Sequence, residues 1–220
     1  MSAGEGELAA LTDPVRARLV ARHEAREVGL AAGRNAIRSA ANAIRATHRG
    51  ETDRAGRLIE EARTSLREAY DACGAFPDVL HAGFVQDAAK EVAEAVLTRA
   101  AVASERLPGP EEVGVDDVSW LHGLAETVGE LRRASLDHVR GGRIDDAEAA
   151  LALMQEILAA LVTIDVPDGL SRGLRRATDA ARAITERTRG DLTTAAGQRE
   201  LRRALDAHRE ALERVLDESS

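Results

Sequence analysis

Aromatic residues are nearly missing from this chain. One Trp, one Tyr and two Phe make up 2% of its 220 residues, so its interior must be filled by Ala, Leu, Val and Ile. Small and aliphatic side chains favour close helix–helix contact, whereas strands draw on aromatic and β-branched residues. Cysteine occurs once, at Cys73, which excludes an internal disulfide and a thiolate metal site. Lysine also occurs once, at Lys90, and every other of the 30 Lys/Arg positions is arginine. That bias reads as the mark of a GC-rich genome rather than as chemistry. No apolar run approaches the roughly 20 residues that cross a bilayer, so no membrane partner is expected. The opening MSAGEGELAALTDP has no basic segment followed by an apolar one. No secretory leader is therefore expected, and the expected location is cytoplasmic. Walker loops, GxGxxG, GxSxG, HExxH and zinc-spaced histidines are all lacking, which removes the chemistries those motifs carry. The net charge of −8 argues against a general nucleic-acid coat but leaves room for a local basic face.

What is present is helical punctuation. Asp13-Pro14 reads as a helix start, with Gly50 as its end. Further helices are expected over about 52–73, 79–106, 116–140, 144–164, 167–189 and 194–216. Gly74, the LPGP segment, Gly141-Gly142, Pro167 and Gly190 separate them. Alternation of apolar and polar residues never persists, so no strand is expected. The short connections predict antiparallel neighbours. The expectation is an all-α chain forming one domain over 1–220, a seven-helix antiparallel bundle. Its core lies at about 13–190, and a last helix at about 194–217 follows the loosest joint, Gly190 to Gly197.

Two polar patterns stand out. Arg34, Arg38, Asn42, Arg45 and Arg49 step by three or four residues and share one helix face, with His48 beside them. Forked guanidinium donors at helical spacing suit a phosphate backbone. The same row is equally what a solvated face looks like, pairing with acids such as Glu60 and Glu61 on the next helix. In KEVAEAV, Glu91 and Glu94 fall on one arc with Asp87. In LHGLAETVGELRR, Glu126 and Glu130 share a face with His122 and Arg133. Hard divalent cations take carboxylate oxygens from elements that converge, and glutamates on neighbouring helices can build such a site. A solvated surface gives the same pattern, and spacing alone does not separate the two.

Several stretches together resemble the translin family, on the side of translin-associated factor X and its archaeal relatives. They are IRATHRGE, GFVQDAAKEVAEAV, WLHGLAETVGELRR, GGRIDDAEAALALM and LRRATDAAR. The resemblance spans about 22–191. It implies a translin-type all-α fold that assembles into a closed shell, commonly of eight copies, with nucleic acid inside. It also implies magnesium, or manganese in its place, bound by Glu91, Glu94, Glu126 and Glu130 as metal-holding and catalytic residues that cut single-stranded RNA. Arg34, Arg38, Arg45, His48, Arg49 and Arg133 become the nucleic-acid contacts. At Glu126 the nuclease branch carries Asp, so this chain keeps the charge one methylene farther out. The alternative is a non-catalytic homo-oligomer that binds RNA or single-stranded DNA.

Overall fold

The computed structural model describes residues 3–218. Nine helices occur among them: α1 (Ala3–His48), α2 (Thr52–Cys73), α3 (Pro77–Leu80), α4 (Gly83–Val102), α5 (Pro110–Val113), α6 (Asp117–Arg140), α7 (Ile144–Val162), α8 (Asp168–Ser171) and α9 (Leu174–Glu218). No strand is found among the described residues, so the all-α expectation holds. Three of the nine are single turns, and six long helices carry the packing. None of them is long and apolar enough to cross a membrane.

Several helix boundaries differ from the sequence reading: the helix expected over 79–106 is split into α3 and α4 and ends at Val102, and the one expected from 167 begins as the separate turn α8 before α9. Asp13 does not cap a helix; α1 starts at Ala3 and runs through Pro14. Asp13 instead pairs with Arg16 at 2.7 Å. A proline inside a helix removes one ladder bond and costs about 3 kcal/mol, yet good helix formers on both sides carry the helix across. At the other end, the joint expected at Gly190 to Gly197 is helical and belongs to α9. Each glycine there weakens the helix by about 1 kcal/mol relative to Ala without breaking it. The hydroxyls of Thr193 and Thr194 donate back to the carbonyls of Arg189 and Gly190 at 2.9 and 3.1 Å.

The chain divides into two compact units, residues 1–127 and 128–220, with the division inside α6. In the first, α1, α2 and α4 pack on one another. Alanine dominates the contact: Ala36, Ala40, Ala43, Ala55, Ala62, Ala69, Ala88, Ala89 and Ala93 are wholly inaccessible. Most sides of α4 are covered, and Val85, Val92, Ala95, Val96, Leu97 and Ala100 are also buried. Such a helix is apolar nearly all round because it lies at the centre. Three of the four aromatics, Tyr70, Phe76 and Phe84, gather at one corner with Cys73, Val79 and Val85. Cys73 reaches that corner because Gly29 lacks a side chain; a Cβ there would meet the Cys73 sulfur. In the second unit, α7 and α9 pack through Leu151, Met154, Ile157, Leu161, Leu174, Ala181 and Leu192. Buried Thr178 and Thr185 satisfy their hydroxyls on carbonyls one turn back, as buried polar groups require.

Candidate cation and nucleic-acid site

The acid pairs are positioned by the way α4 meets α6. Gly123 is the contact point. A Cβ placed there would lie 2.6 Å from the Ala93 Cβ and 2.8 Å from the Glu94 backbone nitrogen. Only glycine lets α6 approach α4 so closely, and the approach happens beside Glu94. The connection between the two helices is clamped from several directions. The Trp120 indole N–H donates to the Pro108 carbonyl at 3.0 Å, and Arg63 donates to the Glu112 carbonyl at 3.0 Å. The Glu112 side chain accepts from Arg106 and from the Gly109 N–H, closing a capping box on α5. These two donors hold the Glu112 carboxyl down to about 2. Asp116 caps α6 by accepting from the N–H and hydroxyl of Ser119, at 3.0 and 2.6 Å. The α6 start expected at Asp116 is thereby confirmed.

Around this crossing lie Lys90, Glu91 and Glu94 of α4 and Glu126 of α6. Lys90 Nζ is 3.0 Å from Glu91 Oε1 and 3.9 Å from Glu126 Oε1. The Lys90 and Glu91 side chains are only 27% and 26% exposed, so the α4 acids are not on a fully solvated face. Burial alone would lower the Lys90 pKa. The hydrogen bond and field of Glu91, with the fields of Glu126 and Glu94, outweigh it and raise the pKa. Three carboxylates from two helices thus act on one ammonium. Glu130 stands one turn beyond Glu126 on α6, in the second unit, with the Arg133 guanidinium 3.8 Å away. Among the described residues, no group of three or more His, Cys, Asp or Glu side chains is gathered at metal-holding distance. The donors are of the hard-oxygen type that magnesium selects. Lys90 lies between two of them, Glu91 and Glu126.

Lys90 is the residue that sequence reasoning passed over. Its signal was available: it directly precedes Glu91 and stands four residues before Glu94, a spacing at which opposite charges meet on a helix.

The arginine row of α1 has a different character. Arg34, Arg38, Arg45 and Arg49 are exposed, and His48 is half-buried. Arg38 donates to Asn35 at 3.1 Å and Arg45 to Asn42 at 2.7 Å. These neutral partners orient the guanidinium without cancelling its charge. The pairing with Glu60 and Glu61 does not form. Glu60 binds Arg63 at 3.0 Å, although both acids line an open groove between α1 and α2 that Arg38 also lines. Arg49 is the exception in the row. It donates to Glu51 at 2.7 Å, and Arg54 holds the other oxygen of that carboxylate at 3.0 Å. Arg49 thus serves the turn between α1 and α2.

No family model matches the chain. An uncharacterised protein of Methanocaldococcus jannaschii is 25% identical over 171 residues, 77% of this chain and 75% of that one. Two structures of AfC3PO, one of them a complex with duplex RNA, are 29% identical at a TM-score of 0.77. Each match covers 85% of this chain and 97% of its counterpart. The structure of apo-NeC3PO shares the fold at 19% identity and a TM-score of 0.74, over 83% of this chain and 96% of its own. In fold, and at 29% identity in sequence, the chain is similar to C3PO proteins, which are of the translin family.

Proposed function

We propose that this protein binds RNA and cuts it with Mg²⁺, or Mn²⁺ in its place, as a homo-oligomeric shell in the cytoplasm. The observation that carries the reading is the convergence of Glu91, Glu94 and Glu126 from two helices onto a single positive charge. The likeness to AfC3PO, which has been solved with duplex RNA, supports RNA as the ligand. Glu91, Glu94 and Glu126 would hold the ion, and Glu130, in the second unit, is a separate candidate ligand. When bound, the ion supplies Lewis-acid polarisation of a phosphodiester. Gly123 keeps the two acid-bearing helices in register. Arg34, Arg38 and Arg45 offer uncancelled charge to the phosphates, and His48 extends that contact along α1; Arg133, in the second unit, is a separate candidate contact. Glutamate at position 126 adds reach, which suits a site where the acids must close around a small ion.

The absence of a preassembled three-acid group among the described residues favours a second reading, a non-catalytic oligomer that binds RNA or single-stranded DNA. One experiment separates the two. End-labelled single-stranded and duplex RNAs are incubated with the purified protein in Mg²⁺ and in chelator, alongside a Glu91→Gln/Glu94→Gln variant. The nuclease reading expects fragments only with Mg²⁺ and wild-type acids. Full-length RNA under every condition, with binding that weakens steeply as salt rises, establishes the binder.

A further inference from the structure

The acid site of this chain already holds one positive charge of its own. Lys90 places its ammonium 3.0 Å from Glu91 and 3.9 Å from Glu126, two of the acids proposed above to hold a hard cation. A second observation, independent of that geometry, comes from composition. Arginine fills every other of the 30 basic positions, and the one lysine falls at the acid cluster. The two side chains differ in what they do to a carboxylate. Arginine forks onto it through two parallel bonds and locks it. Lysine is a compact point charge on a flexible stem, able to hold an acid cluster and to leave it.

We infer that Lys90 is the resident cation of this site and that a divalent ion enters by displacing its ammonium from Glu91 and Glu126. The inference rests on the metal-site reading above. It concerns competition between two positive charges for the same oxygens, so the ammonium stays protonated and swings aside as the carboxylates close on the ion. In the resident state Lys90 keeps three acids from repelling one another across the α4–α6 crossing. It also raises the ion concentration needed to load the site.

Because Lys90 is the only lysine, the intact chain can be read without mutation. Reductive methylation with ¹³C-formaldehyde labels Lys90 and the amino terminus, and a dimethylated lysine keeps its charge. Titration with Mg²⁺ is expected to shift the Lys90 methyl signal saturably and leave the terminal signal in place. In parallel, calorimetry of Mn²⁺ binding compares wild type with Lys90→Gln. Removing a like charge several ångströms from the ion should tighten binding about tenfold. If Mn²⁺ binds both proteins with equal affinity, or binds the variant more weakly, displacement is overturned and the metal site stands. If Mn²⁺ binds neither protein, the metal-site reading falls and displacement falls with it. A methyl signal that stays fixed while Mn²⁺ binds wild type also overturns the inference, whether or not the variant folds.

Discussion

The first unit carries two polar faces that solve the problem of charge in opposite ways. On α1, arginines are steadied by asparagines three residues earlier, and their charge is left open. At the α4–α6 crossing, three glutamates act on one lysine, and one of their three charges is met from inside the chain. An open positive row is ready for a polyanion as it stands. An acid cluster with a lysine among its oxygens admits a cation only in competition with that lysine. The contrast separates a binding surface, which works by attraction alone, from a site that must exchange one cation for another before it can do chemistry.

The largest expected effect comes from removing the acids. Glu91→Gln/Glu94→Gln should lower Mg²⁺-dependent cleavage roughly 10²-fold or more, as loss of a preorganised electrostatic element does. Filter binding of RNA in chelator should be unchanged. Equal loss of binding and cleavage would mean that the acids support the fold rather than the reaction. Next comes the helix crossing. Gly123→Ala forces a methyl into Ala93 and the backbone at Glu94, and overpacking of that kind costs about 1–3 kcal/mol. Gly129, in the same helix, has open space where a methyl would project, with nothing within 4 Å. Gly129→Ala should therefore be neutral or stabilise by about 0.5–1 kcal/mol. Denaturant melts of the two variants give the comparison, and similar melts would remove the special role of the crossing.

Much of this was legible in the sequence, for identifiable reasons. The periods of α2, α6 and α7 are clean, and glycines or an aspartate mark their ends, so their limits come out close to the structure. Pro14 and Gly190 misled because local breakers were weighed without the strong helix formers around them. The acid faces could be projected from spacing. Their degree of burial could not, because that depends on α4 lying at the centre of its unit. Lys90 went unread because its rarity was explained by composition, while its neighbours in space, Glu91 and Glu126, sit on two different helices. Gly123 looked like an ordinary mid-helix glycine until α6 was placed against α4.

Smaller effects sharpen the same contrast. Replacing Arg34, Arg38 or Arg45 singly by Ala should weaken RNA binding severalfold. Each loss should reduce the slope of log K against log salt by about 0.7 for a single strand. Arg49→Ala should change the slope little, because its charge is already met by Glu51. The same slope for all four would erase the distinction between open and paired arginines. The smallest effect concerns the clamp between α4 and α6. Glu112 has its folded pKa depressed from 4.5 to about 2. Its contribution to stability is therefore complete above about pH 4.5 and is lost as pH falls toward 2. The melting temperatures of wild type and Glu112→Gln should differ at pH 6 and converge by pH 2. A gap that persists at low pH would assign the effect to packing instead.

Anomalous scattering decides whether the acid cluster holds an ion. Crystals grown without divalent metal and soaked in Mn²⁺ should show an anomalous peak in contact with carboxylate oxygens of Glu91, Glu94 and Glu126, with the Lys90 ammonium moved away. A fully soaked crystal with no peak there, and Lys90 still bridging Glu91 and Glu126, would contradict the site and leave an RNA-binding helical scaffold.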